Sequence, residues 1–93
     1  MKNITFEWDE KKALLNLKKH KVSFEEAKSA FYDDWARLMS DPDHSERERR
    51  YILLGLSKIA RLIIVCHCYR SYDSVIRIIS ARKATTSEAN FYP

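Results

Sequence analysis

Residues 62–66, Leu-Ile-Ile-Val-Cys, form the longest apolar run in the chain and constrain its fold more than any other stretch. An unbroken series of β-branched and leucine side chains is typical of a strand that is covered on both faces. We therefore predict a central strand over residues 61–70. Residues 71–74 have turn-forming side chains, so residues 75–82 are expected to return antiparallel beside this strand.

The remaining elements are shorter. Residues 4–8, 36–40 and 51–57 alternate or cluster apolar side chains as strands do, while residues 10–20 and 24–32 have helical spacing. Asp9 is placed to cap the first helix, and the pairs Ser23/Glu26 and Thr85/Glu88 have capping-box spacing. The pattern predicts an α+β fold in one domain, residues 1–93. It has an antiparallel sheet of four to five strands, two N-terminal helices packed on that sheet as a hairpin, and one C-terminal helix that begins near Thr86.

In the first helix, Ala13, Leu14 and Leu17 fall on one face and lysines on the other, so we expect these three side chains to face the sheet. Residues 18–21, Lys-Lys-His-Lys, lie at the last turn of the helix. Positive charge there complements the helix dipole, and the same cluster is also able to contact nucleic acid.

Composition narrows the class of protein. The 93 residues carry 17 basic and 13 acidic side chains, a net charge of +4, which mildly favours a polyanionic partner such as RNA or DNA. No signal peptide is evident at the N-terminus, and residues 62–66 are too few to span a bilayer. Cys66 and Cys68 stand two apart on a strand and are expected to be reduced thiols in a cytoplasmic protein, with no membrane association.

Residues 76–90 hold the most informative set of cations. Arg77 interrupts an isoleucine-rich strand, and Arg82 and Lys83 lie where that strand ends and the last helix begins. Basic side chains at such a corner make a plausible phosphate site. If Arg70 faces Val75, alternation groups His67 with Tyr69, Ser80 and Arg82 on one face of the sheet. The opposite face then carries Cys66, Cys68, Arg70, Arg77 and Ile79.

These residues have ordinary interpretations as well as functional ones. His67 in a strand is either a hydrogen-bonded structural residue or an acid–base catalyst. Arg77 either meets a ligand or holds a carboxylate from another element in an ion pair. Glu46 and Glu48 are best interpreted as charges of a solvated loop rather than as a general base.

No metal site or cofactor site is predicted. The sequence Cys66-His67-Cys68 resembles a metal cluster, but alternation along a strand sends His67 to the face opposite both cysteines. Residues 41–44, Asp-Pro-Asp-His, lack the oxygen ligands and the glycine of a calcium loop and are typical of a turn. Phosphate-loop, serine-hydrolase and dinucleotide motifs are absent from the sequence.

An ordered set of segments resembles the BrnT family of type II toxins. The segments that carry the resemblance are residues 6–12, 16–20, 22–27, 49–51, 54–57 and 76–85, followed by Glu88. Lys21 stands where the family usually has glycine, residues 32–35 depart from its usual turn, and Cys66 and Cys68 flank His67 where other residues are usual.

The resemblance implies a small cytoplasmic ribonuclease toxin with a RelE-like fold that inhibits translation and is neutralised by a BrnA-type antitoxin. RNA would be the substrate, on or off the ribosome, and DNA would be contacted only through the antitoxin complex. The family pattern places functional weight on five residues: His67, Arg70, Arg77, Arg82 and Lys83. The chemistry expected is metal-independent RNA cleavage. The alternative is a non-catalytic module that binds nucleic acid or an antitoxin in a repressor complex.

Overall fold

The computed structural model describes residues 4–44 and 48–93, so Glu46, interpreted above as a loop charge, lies outside the described residues. The described part of the chain forms the following elements: β1 (Thr5–Glu7), α1 (Glu10–His20), α2 (Phe24–Ala30), β2 (Arg37–Ser40), a 3-10 turn (Pro42–His44), β3 (Arg50–Leu56), β4 (Leu62–Arg70), β5 (Val75–Lys83) and α3 (Thr86–Ala89). The predicted α+β class is confirmed, and every predicted helix and strand is present within a few residues of its expected bounds.

The five strands form one sheet in the order β1-β5-β4-β3-β2. The strand with the apolar run, β4, is central, as predicted. Neighbours joined by short connections are antiparallel, but β1 runs parallel to β5, with Phe6 opposite Ile76. The prediction of a wholly antiparallel sheet is therefore wrong, and the sheet is mixed. No hairpin turn links β1 to β5, so their relative direction is not fixed by chain connectivity.

One face of the sheet is covered by α1 and α2, and this helix-covered face holds the hydrophobic core. Apolar side chains of β3, β4 and β5 meet those of α2 and the α1–α2 connection. The buried core residues are Val22, Phe24, Ala27, Ala30, Phe31, Leu53, Ile63, Val65, Ile76, Ile78 and Ala81. Trp8 packs at the margin of this core, and Phe31 is buried within it. Both helices contact β5 more extensively than they contact each other.

The orientation of α1 differs from the prediction. Leu14 and Leu17 are 70 % and 44 % exposed, whereas Asn16 is buried. The Asn16 amide donates to the carbonyls of Val22 (2.9 Å) and Ala81 (2.8 Å), and its oxygen accepts from the Ala81 N–H (3.1 Å). Because β1 pairs with β5 only up to Arg77, this amide satisfies backbone groups that no neighbouring strand reaches. The polar anchor turns the leucines outward.

The helix caps follow the sequence with one exception. Asp9 caps α1, and Thr85 and Glu88 form a complete capping box at α3. Ser23 caps α2, but Glu26 does not close the expected box, because its carboxylate instead binds Arg61 and Ser57 from β3–β4. These contacts lower the Glu26 pKa, chiefly through the hydrogen bonds from Arg61. Glu26 therefore joins α2 to the sheet rather than stabilising its own helix end.

Lys21, at the position where glycine is usual in the family it resembles, ends α1 with φ of 60° and ψ of 28°. This left-handed conformation is the one that favours glycine at a helix C-terminus. Lys21 therefore occupies a turn position that glycine would adopt with less strain. Across the described residues, none of the helices has the length and apolar character needed to cross a membrane.

Candidate nucleic-acid interface

The face of the sheet opposite α1 and α2 carries the arginines, and we call it the open face. Residues paired directly across antiparallel strands point to the same side of a sheet. Arg50 pairs with Cys68, Cys68 pairs with Arg77, and Ile64 pairs with Arg82. The three arginines therefore project from β3 and β5 on the side away from the core, on which Arg70 also lies.

A β-bulge changes the expected grouping of side chains. The assumed pairing of Arg70 with Val75 and His67 with Ile78 is confirmed, but Cys66 pairs with Ser80, so the register shifts between Cys66 and His67. Because β5 has one extra residue at this point, the side chains that follow it on β5 point to the opposite face of the sheet from the one predicted. The prediction that Ser80 and Arg82 share a face with His67 is wrong: they lie on the open face with Cys66.

His67 is fully buried on the helix-covered face. Its ring packs edge-on against Phe31 at 4.8 Å between centroids, with Tyr51 and Tyr69 on neighbouring positions. Nδ1 lies 3.1 Å from the Val65 carbonyl oxygen and Nε2 lies 3.3 Å from the Tyr69 hydroxyl. Burial lowers the pKa of His67 to about 4, so the ring is neutral at pH 7. Its surroundings are those of a structural histidine.

Two open-face arginines form ion pairs with glutamates. Arg77 Nη1 lies 2.9 Å from the carboxylate of Glu7 on β1, so the ion pair expected in one of the two interpretations of Arg77 is present, and a contact of Arg77 with a ligand stays a prediction. Arg70 contacts Glu48 at 3.1 Å and Glu7 at 3.7 Å. All four side chains are partly exposed, which limits each pair to a small contribution to stability. The guanidinium groups remain accessible from solvent.

Arg82 is held by the start of the last helix. Its two terminal nitrogens donate to the two carboxylate oxygens of Glu88, each at 2.7 Å, in a bidentate arrangement. Glu88 also accepts from the Thr85 N–H at 2.9 Å as part of the capping box. The hydrogen bonds from Arg82 lower the Glu88 pKa to about 2, so the carboxylate is ionised at neutral pH. The capping box thus fixes the orientation of an arginine.

A pocket of about 380 Å³ lies on the open face beside Arg82. Its polar lining comes from Asp41, Asp43, Arg50, Cys66, Ser80 and Arg82. Both cysteines are free thiols, and burial raises the pKa of Cys66, which keeps it protonated at neutral pH. Among residues 4–44 and 48–93, no group of three His, Cys, Asp or Glu side chains is placed to hold a metal ion. The pocket therefore combines guanidinium and hydroxyl groups with the carboxylates of Asp41 and Asp43.

The five predicted site residues are therefore divided between the two faces of the sheet. Arg70, Arg77 and Arg82 lie on the open face. His67 lies inside the core, and Lys83, which pairs with Ile63, is exposed at the end of β5 on the opposite side from Arg82. Whether each of the five contributes to catalysis stays a prediction.

Three residues of this region were missed by sequence reasoning. Arg50 joins the arginine set across β4, Asn16 fixes the backbone next to Arg82, and Glu88 binds Arg82 itself. For Glu88 the signal was present, since a capping box six residues after an arginine brings the two side chains close. For Asn16 the signal was a lone amide among the leucines of a helix.

The comparisons with known proteins agree with this picture. A family model described as "Ribonuclease toxin, BrnT, of type II toxin-antitoxin system" matches residues 8–88. No curated protein sequence matches the chain. The crystal structure of the ribonuclease toxin BrnT of Brucella abortus is similar, with a TM-score of 0.67 and 20 % identity, over 89 % of this chain and 99 % of that one. At that identity the likeness shows the fold, and the family match covers most of the sequence: the chain belongs to the BrnT family of ribonuclease toxins of type II toxin–antitoxin systems.

Proposed function

We propose that this toxin is a metal-independent endoribonuclease that inhibits translation and binds RNA on its open face. The observation that carries the proposal is the set of arginines projecting from β3 and β5 around a solvent-accessible pocket. Planar guanidinium groups bind phosphate in bidentate fashion, and several on one surface are able to contact more than one phosphate of an RNA backbone.

The chemistry proposed is attack of the ribose 2′-hydroxyl on the adjacent phosphate, in which the O2′–P bond forms as the P–O5′ bond breaks. The 2′-hydroxyl proton passes to solvent water, and the departing 5′-oxygen takes a proton from water. Negative charge accumulates on the phosphate oxygens in the transition state, and fixed cations stabilise it there more than in the ground state. Arg82, oriented by Glu88, and Arg77, oriented by Glu7, are the residues we assign to that role. Arg70 is assigned to the flanking backbone, whereas Lys83 projects from the opposite side of the sheet and is assigned no contact on the open face.

The predicted acid or base role of His67 needs its ring to reach the RNA. Its burial against Phe31 and its neutral state at pH 7 support a different contribution, which is to hold Tyr51 and Tyr69 in place beneath the sheet. We therefore propose that His67 supports the site through packing rather than by proton transfer.

The proposed partners follow from membership in the family. A BrnA-type antitoxin would neutralise this chain in the cytoplasm, and DNA would be contacted only through the antitoxin complex. Whether RNA is cleaved free or on the ribosome decides which substrate the assay needs.

A second function, a non-catalytic binding module, is favoured by one observation. Arg70, Arg77 and Arg82 each pair with a glutamate carboxylate. The carboxylates of an acidic protein segment are therefore able to take the place of those glutamates as readily as RNA phosphates are.

The experiment is incubation of the purified protein with a defined RNA in EDTA, beside two variants of equal charge change. Arg82→Ala removes an open-face guanidinium. Lys58→Ala removes a cation from the β3–β4 turn, which lies against α2 on the helix-covered side. We expect cleavage by the wild type and by Lys58→Ala, and a loss of at least about 100-fold in Arg82→Ala, the usual cost of removing one charge-stabilising donor.

Cleavage that requires added metal would refute metal independence, and equal rates for both variants would refute the assigned site. If free RNA is not cut, the same three proteins are tested on ribosome-engaged messenger. Absence of cleavage there as well, with RNA binding retained, would establish the binding module instead.

A further inference from the structure

The outer surface of α1 carries exposed leucines. Leu14 and Leu17, 70 % and 44 % exposed, line the same groove, and we call these two residues the α1 leucine patch; Leu15, 66 % exposed, lies on the other flank of the helix. A surface helix normally turns its leucines inward and its amide side chains outward. Here the arrangement is inverted, because Asn16 is the buried residue. Exposed apolar side chains gathered on one helix are typical of an interaction surface.

A groove continues the α1 leucine patch toward α2. Leu14 and Leu17 form one wall, Trp8 and Phe24 form the rest of its apolar lining, and its volume is about 340 Å³. The lining is mainly apolar, with Glu10 and Glu25 at the rim. Glu10 accepts a hydrogen bond from the Trp8 indole at 3.0 Å, which fixes the ring at the groove edge.

The helix that carries the patch is positively charged, although Glu10 and Glu25 line the groove itself. Residues 10–21 contain five lysines and one glutamate, and the lysines are Lys11, Lys12, Lys18, Lys19 and Lys21. All five are exposed, and within the described part of the chain none of the ion pairs involves them. Helical spacing places Lys11, Lys18 and Lys21 next to Leu14 and Leu17, whereas Lys12 and Lys19 lie beside Leu15. Exposed lysines that flank an apolar patch favour an acidic partner with its own apolar stripe.

Two other occupants fit this surface less well. A second copy of the chain would place five lysines against five lysines in a symmetric contact, which is repulsive. RNA offers phosphates to the lysines but leaves the leucines without apolar contacts. A protein segment that is both acidic and amphipathic satisfies both features.

We propose that the α1 leucine patch, with the groove beside it, is the docking surface for an acidic amphipathic helix of the antitoxin. This inference rests on the proposed antitoxin partnership and adds to it the place of contact. Since α1 packs on β5 from the helix-covered face, the docking surface lies on the opposite side of the sheet from Arg77 and Arg82. Antitoxin affinity and RNA cleavage are therefore separable by mutation.

The test compares the double variant Leu14→Asp/Leu17→Asp with Ile59→Asp, which places a single aspartate on an apolar residue of the β3–β4 turn whose exposure lies between those of the two leucines. The probe is the purified antitoxin of the same gene pair, titrated by calorimetry against wild type and both variants. We expect affinity at least about 100-fold weaker for the double variant, as loss of two buried leucine contacts predicts, and unchanged affinity for Ile59→Asp. Raising the salt concentration should weaken wild-type binding.

Equal affinity of the double variant and the wild type would overturn the proposal. So would a wild-type dimer that the double variant abolishes, because the occupant would then be a second copy, or a parallel loss of RNA cleavage, because the surface would then bind substrate. Circular dichroism of each variant checks that it is folded. The cleavage assay tests the open face separately, so failure of the docking surface and failure of the ribonuclease proposal give different results.

Discussion

Protonation of His67 makes the folded state sensitive to mild acid. The ring is fully buried and burial lowers its pKa from 6.5 to about 4. Between these two pH values the unfolded chain binds a proton on His67 that the folded protein does not bind. The free energy of unfolding therefore decreases as pH falls from 6.5 toward 4, and the stabilisation is complete only above 6.5.

The size of the effect follows from the same pKa values. The full difference corresponds to about 3 kcal/mol, of which about 2 kcal/mol is lost between pH 7 and pH 5. A domain of this size is stable by only about 5–10 kcal/mol, so the loss is large enough to measure. The pKa values of Glu26 and Glu88 are lowered from 4.5, so protonation of these carboxylates changes the free energy of unfolding mainly below pH 4.5. Between pH 7 and pH 5 the expected change comes from histidine.

Urea denaturation at pH 7, 6 and 5 provides the measurement, with His67→Phe as the matched variant. Phenylalanine keeps an aromatic ring against Phe31 and has no titratable group. We expect the wild type to lose about 2 kcal/mol over this range and the variant to lose much less. Identical pH dependence of the two proteins would refute the conclusion that His67 is buried in its neutral form.

Two further substitutions test the polar anchor and the turn of α1. Asn16→Ala leaves the Ala81 N–H and carbonyl without their Asn16 partner, and should lower the free energy of unfolding by about 3 kcal/mol in urea titration. Amide hydrogen exchange at Ala81 should also become faster. An unchanged exchange rate at Ala81 would contradict the role given to Asn16. Lys21→Gly relieves a φ of 60° and should raise stability by up to about 1 kcal/mol, whereas Lys21→Ala should give no gain.

Local patterns were sufficient to predict the secondary structure. The apolar run of β4, the alternation in β5 and the caps at Asp9 and Thr85 each depend on neighbours in sequence, and each formed as expected. The likeness of separate segments to one family also led to the correct family.

Long-range contacts account for what the sequence could not predict. Helical periodicity placed Leu14 and Leu17 inward, but hydrogen bonds from Asn16 to a strand 65 residues away set the rotation of α1. The single extra residue of the bulge has no local signature, yet it moved Arg82 to the face opposite His67. Glu26 likewise bonded to Arg61 across 35 residues instead of its own helix end.

The parallel pairing of β1 with β5 makes the open face depend on two distant parts of the chain. Glu7 and Arg77 are 70 residues apart in sequence, so their ion pair forms only once β1 has docked beside β5. Arg82 and its partner Glu88 are six residues apart and need no such long-range docking. Displacement of β1 should therefore release Arg77 from its partner while Arg82 stays oriented.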